Sequence, residues 1–347
     1  MPEPQATDGF YHTKTNSETA VLDNGHSHAT PEPSKPKKSG PLFHNLLPAD
    51  ADALAGLRPV LAPHKGQMRG PAARPLFDDV MAHTPSADGV TYEAATIAGV
   101  PGWWCLPTGA RPHQAIIHLH GGWFVWGSAG AYRNFTGHIA AASGAAAFVA
   151  DYRLAPEHPS PAALDDALAL YDGIVELGFS RIAIVGDSAG GALTAGLLTR
   201  LRNSGHGVPP VAAVLLSPVT DLTLSGATWE SRSATDLYFT RDQVVELIDL
   251  YLEGQDPRNP AISPLFDDLH GLPPVRVHVG DDEMLLDDSL RFVERAAEAG
   301  VDARVDVWEG MQHVFPAAVA TLVAARLAIE EIGTFLSGHL GQVEPMQ

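Results

Sequence analysis

Apolar residues fall along this chain in two alternating rhythms. Short, almost continuous apolar runs appear in the order "TYEAATIAG", "GWWCLP", "QAIIHLH", "AAAFVADY", "RIAIVGD", "VAAVLLSP", "VRVHVGD" and "ARVDVWEG". Between the later runs lie stretches with helical spacing, such as "PAALDDALALYDGIVEL" and "SLRFVERAAEAG". Strands buried on both faces read as unbroken apolar runs, and their alternation with helices predicts βαβ units in a mostly parallel sheet of about eight strands. Upstream, "ADADALAGLRPVL" and "PLFDDVMAH" have helical spacing. Between "LLSPVTDL" and "VRVHVGD" an insertion carries a helical stretch, "TRDQVVELIDLYLEG", and a Pro-rich return. A loop of that length without structure would be unusual, so a cap over the strand ends is expected. The pattern divides the chain into a flexible tail (1–40), an N-terminal helical cap segment (41–88), an α/β core (89–222), a cap insertion (223–272) and the rest of the core (273–340).

Composition narrows the picture. A 45% hydrophobic content over 347 residues is ample for a large core. The formal net charge of -19 argues against nucleic acid and against anionic membranes, both of which require basic surfaces. Cys105 is the only cysteine, so no intramolecular disulfide is possible, which suits a reducing compartment. The first residues lack a basic-then-apolar leader pattern and no run is long enough to span a bilayer, so a cytoplasmic location is expected. The tail's His26 and His28 are a weak metal candidate, since paired histidines in a floppy segment rarely bind a specific ion; no metal or cofactor is expected.

Three clusters carry chemistry. In "RIAIVGDSAGG" a strand must feed a helix through a very tight turn, with Ser188 between Gly186 and Gly190. Such a turn pushes the hydroxyl outward and aims the helix N-terminus at it, which is the geometry of a nucleophile elbow. In "AIIHLHGGW" a strand runs into glycines whose amides can approach a developing oxyanion; Gly121, Gly122, Trp123 and Ala189 are the candidate donors. His120 is read as bracing that loop. A serine nucleophile needs a histidine base and a carboxylate to orient it. His313, in "WEGMQHVF", follows the last strand run at its C-terminal end, where catalytic groups gather in open α/β sheets. His118, His138, His158 and His278 are read as structural. The carboxylate comes from "VGDDEMLLDD", where Asp281, Asp282, Glu283, Asp287 and Asp288 all qualify by position. Asp151, Arg153, Glu157 and Asp187 are assigned scaffold roles.

"HGGW", "DYRLAPEHPSPAALDDA", "GDSAGG", "DDEMLLDDS" and "GMQHVF", over roughly residues 90 to 330, resemble in order the blocks of the hormone-sensitive-lipase-like (bacterial family IV) esterases. The resemblance implies an α/β-hydrolase fold with a helical cap, a serine carboxylesterase acting on short-to-medium acyl esters, and no cofactor. It points to His313 as base and to Asp282, with Asp281 as rival, as the triad acid beside Ser188. Asp287 and Asp288 are read instead as an acidic helix start favoured by the helix dipole, and the resemblance admits a homodimer. The chain departs from the family in having Trp123 where a third glycine is usual, which places a large ring at the mouth of the oxyanion hole. Phe124, Tyr238 and Phe239, with Trp229 and Tyr251, are candidates for the substrate pocket. A lactone or amide hydrolase with the same triad is the alternative, with a small-molecule ester or lactone as the partner either way. A non-catalytic receptor of this fold is disfavoured because the candidate base is present.

Overall fold

The eight expected runs all form strands, and a ninth joins them. The computed structural model describes residues 40–341; the tail's His26 and His28 lie outside them. The strands are β1 (Leu42–His44), β2 (Val90–Ile97), β3 (Val100–Pro107), β4 (Gln114–Leu119), β5 (Ala146–Ala150), β6 (Arg181–Asp187), β7 (Ala212–Leu216), β8 (Val275–Gly280) and β9 (Ala303–Trp308). Their order across the sheet is β1-β9-β8-β7-β6-β4-β5-β3-β2. β3 runs antiparallel to both β2 and β5; every other neighbouring pair is parallel. β1 lies in the segment expected to be wholly helical. Three residues are too few to show an alternating pattern, and Phe43 is 68% exposed, so only pairing with β9 and the stacking of His44 on Trp308 reveal the strand.

Helices cover both faces. α3 (Ala129–Ser143) and α9 (Val323–Leu340) share one hydrophobic core, and α4 (Ala162–Glu176), α5 (Ala189–Ser204) and α8 (Leu286–Glu298) share the other. In β4, Ala115, Ile117 and Leu119 feed one core while Ile116 feeds the other, which is why the strand reads as an unbroken apolar run.

Upstream of the sheet are α1 (Pro48–Leu61) and α2 (Arg74–Ala82). Between β7 and β8 lie the short α6 (Thr228–Ser231) and α7 (Arg241–Leu252). α7 opens on a capping box in which Thr240 Oγ1 accepts from the Gln243 amide and the Gln243 side chain accepts from the Thr240 amide. The Gln243 side chain also donates to the Met68 carbonyl at 2.5 Å, tying α7 to the α1–α2 connection. At the start of α2, Arg74 donates to the Val125 and Ala155 carbonyls (both 2.8 Å) and to Glu157, so the loop after β4 is held from outside. No helix among the described residues is long and apolar enough to cross a membrane.

Candidate active site

The turn from β6 to α5 puts Ser188 at φ 53°, ψ -120°, a left-handed position that is rare for a serine. What forces it is the closeness of β4. A Cβ on Gly190 would sit 1.8 Å from the Leu119 carbonyl oxygen, so only glycine lets α5 start where it does. The Ser188 amide donates to the Leu216 carbonyl at 2.8 Å and its own carbonyl accepts from Val219, fixing the turn between neighbouring strands. Asp187 is fully buried beneath it, accepting from His118 Nε2 (3.1 Å) and the Tyr132 hydroxyl (3.2 Å). His118 and Asp187 are thus scaffold.

The loop after β4 folds back sharply. Gly122 (φ 110°), Trp123 (φ 53°) and Phe124 (φ 62°) are all left-handed, and the Gly122 carbonyl accepts from the amides of Val125 and Trp126. A Cβ on Gly122 would lie 2.3 Å from the Trp126 carbonyl oxygen. Gly122 and Trp123 line the cavity that holds Ser188, and Ala189 is the first residue of α5, where helix N–H groups have no intrahelical partner. His120 braces the loop: Nδ1 donates to the Gly121 carbonyl at 2.7 Å and the ring stacks on Tyr152.

His313 lies beyond β9, its ring almost fully buried. Nδ1 bonds Glu283 Oε2 at 2.7 Å. The other oxygen, Oε1, accepts from Ser217 Oγ (2.7 Å) and the Gly280 amide (2.8 Å), so the fully buried carboxylate is held by three hydrogen bonds. Burial alone would pull the His313 imidazolium down, but the hydrogen bond and charge of Glu283, with the charges of Asp236 and Asp187, more than reverse this. His313 holds its proton more tightly than an ordinary histidine.

Glu283 therefore corrects the expectation of Asp282. The Asp282 carboxylate turns the other way, onto Arg58 of α1, which also donates to the Thr235 carbonyl. Asp281 accepts from the Gly310 amide at 2.6 Å, Asp287 from the Ala227 amide at 2.5 Å, and Asp288 from the amides of Thr220 and Asp221. Four of the five candidate carboxylates are thus occupied elsewhere. No local signal separated them, since the deciding partners come from α1, the 217–221 loop, the residue before α6 and the turn after β9.

Ser188 and His313 line one cavity of about 370 Å³. Its wall includes Trp123, Tyr238 and Phe239, as expected. Phe239 packs edge-on against both His313 (5.1 Å) and Trp123 (5.4 Å). Phe124 does not line it: its ring is buried and stacked on Tyr251 at 3.8 Å, so both are core. Trp229 lies behind Trp123, likewise buried. The part of the wall that pattern reading missed is apolar and comes from α1, α2 and the segment after His313, including Leu54, Leu57, Phe77, Met81, Phe315 and Leu322.

His44, Asp306 and Glu331 have spacing that could hold a metal. Both Asp306 oxygens are already engaged, by His44 at 2.9 Å and by Arg304 at 3.0 Å, so a cation would compete with a guanidinium.

Residues 116–317 match a family model described as alpha/beta hydrolase fold. The chain is 35% identical over 252 residues to an acetyl-hydrolase from Streptomyces hygroscopicus, covering 72% of this chain and 84% of that one. It is 35% identical over 267 residues to an esterase from Acinetobacter venetianus, covering 76% and 88%. A solved esterase from the bacterial hormone-sensitive lipase family superposes with a TM-score of 0.77 at 36% identity, over 85% of this chain and 99% of that one. The chain belongs to the hormone-sensitive-lipase-like esterases of the α/β-hydrolase fold, a family of carboxylic ester hydrolases.

Proposed function

We propose that the chain hydrolyses short-to-medium acyl esters through an acyl-enzyme on Ser188, with His313 as general base and Glu283 as the carboxylate that orients it. Ser188 Oγ attacks the ester carbonyl carbon while His313 Nε2 takes its proton. The oxygen's developing charge is received by the amides of Gly122, Trp123 and Ala189. Collapse expels the alcohol, which takes the proton back from His313. Water, deprotonated by the same imidazole, then releases the acid.

The carrying observation is that His313, seated through Nδ1 on a buried carboxylate, shares one cavity wall with the serine of the strained turn. The Nδ1–H bond leaves Nε2 as the acceptor nitrogen. The cavity is of ligand size and its wall is mainly apolar, which suits an acyl chain. Segments 41–88 and 223–272 act as its cap: α1 and α2 contribute one side and Tyr238 and Phe239 the other. The acidic surface and single cysteine support a cytoplasmic enzyme of small molecules, with neither nucleic acid nor membrane as partner. A homodimer is the expected assembly, read by sedimentation.

The test is turnover of a p-nitrophenyl ester series of increasing acyl length by wild type and Ser188→Ala. Rates that peak at short or medium chains, and vanish in a folded Ser188→Ala, are expected. Equal rates in both proteins would remove the nucleophile. A matched amide measured beside the ester decides which bond is preferred.

A further inference from the structure

We propose that Ser217, at the end of β7, is a positioning residue for the triad, its hydroxyl clasping the acid and the base in one place. The inference rests on the reading of Glu283 and His313 given above.

Ser217 is fully buried and sits at φ 47°, a left-handed position that a serine adopts only under constraint. Its amide donates to the His278 carbonyl at 2.9 Å, which anchors the turn to β8. The hydroxyl then does two things. It donates to Glu283 Oε1 at 2.7 Å and accepts from the Val314 amide at 3.0 Å. Val314 directly follows His313 and is itself left-handed, at φ 53°, a costly position for a β-branched residue. Two strained residues from different loops are thus joined by one hydroxyl, and its two hydrogen bonds end on the carboxylate behind the imidazole and on the backbone beside it. With Gly280 holding the same oxygen from β8, the carboxylate cannot turn away from Nδ1. A hydroxyl both donates and accepts through one atom, and does so more strongly than a thiol of the same size.

The experiment compares Ser217→Ala, Ser217→Gly and Ser217→Thr with wild type on p-nitrophenyl butyrate. Alanine removes the hydroxyl; glycine removes it and also relieves the left-handed strain; threonine keeps it. In Ala and Gly, kcat falls roughly tenfold to a hundredfold with KM little changed, because a charge-assisted hydrogen bond is lost behind the base. The acid limb of kcat/KM also moves to higher pH. The groups that face His313 are Glu283, Asp236 and Asp187, and without the serine donor the Glu283 charge is less dispersed and favours the imidazolium more. Threonine recovers part of the rate. If Ala and Gly keep kcat within about twofold, or raise KM while leaving the limb in place, the assignment is overturned. Fluorophosphonate labelling separates this from failure of the triad. A chain that labels at Ser188 but is indifferent to Ser217 overturns the clasp alone, and one that does not label at Ser188 overturns the triad beneath it.

Discussion

The two halves of the site are built in different ways. On the nucleophile side, five consecutive residues, 186–190, do the work: steric contact between α5 and β4 dictates glycine at 190 and leaves Ser188 a single strained conformation. On the acid–base side, most of the hold is long-range. Glu283 is held by its near neighbour Gly280, but also by Ser217 and His313, residues distant in sequence brought together at the ends of β7, β8 and β9. A hard-sphere constraint leaves a readable trace in neighbouring residues. A hydrogen-bond network is instead the outcome of competition among similar groups, and the losers are visible only once their own partners are known.

The largest expected effect tests the local half. Ser188→Ala should abolish ester turnover, with a loss in kcat on the order of 10⁶-fold if the serine acts as in other triads. The elbow is strained with serine in place, so thermal stability should not fall. Turnover that persists in the purified variant would place the chemistry elsewhere.

The next effect tests the distributed half. Glu283→Gln keeps shape but loses the charge that fixes the His313 tautomer, and kcat should drop by roughly 10³–10⁴-fold. Asp282→Asn, which cuts only the link to Arg58, should cost far less. The two pH profiles sharpen the contrast. In wild type and Asp282→Asn the rate should rise with deprotonation of His313, with a midpoint above the ordinary histidine value of about 6.5. In Glu283→Gln the residual activity should titrate lower, since burial then acts on the imidazole unopposed by its main partner. The reverse ranking of the two variants would restore Asp282 as the acid.

A third effect reaches the support of the acid side. Asp288 on α8 is fully buried, and its carboxylate takes the amides of Thr220 and Asp221 just beyond Ser217. Burial pushes it up to about 7, the amide bonds opposing and the nearby Asp221 charge adding. A carboxyl whose folded value lies above its unfolded value is most favourable to folding below the unfolded value. That advantage is lost as pH rises through the folded one. Wild type should therefore lose a few kcal/mol relative to Asp288→Asn between about pH 4 and about pH 7. Urea midpoints across that range check it; parallel curves for the two proteins would mean that the carboxyl does not titrate there.

Much of this was legible in the sequence because it follows from periodicity and sterics. The eight apolar runs, the helices between them, the elbow at Ser188, and the placement of His313 after β9 needed no long-range information. β1 was missed because three residues carry no period. Asp282 was chosen over Glu283 because "DDE" offers three carboxylates in a row, and the choice among them depends on Arg58 and the Gly310 amide drawing two away from His313. Phe124 was misplaced for a related reason. Trp123 and Phe124 are adjacent, but successive left-handed residues send one ring to the cavity and the other onto Tyr251.

The smallest expected effect lies where the two halves meet, at Trp123. Its backbone belongs to the nucleophile side, where the proposed mechanism assigns its amide to the oxyanion, but its ring packs against Phe239, which in turn touches His313. Trp123 lines the same cavity as Ser188, and its ring occupies volume that a glycine there would leave empty. The left-handed backbone there is natural for glycine, so Trp123→Gly keeps the amide where it is while removing the wall. The ratio of kcat/KM for a branched acyl ester to that for the acetate should then rise by about tenfold, the range set by fitting or excluding a methylene-sized group. If the ring limits only access, both esters gain together and the ratio stays fixed. If the amide has shifted, both lose. Only a changed ratio marks Trp123 as the residue that sets acyl size.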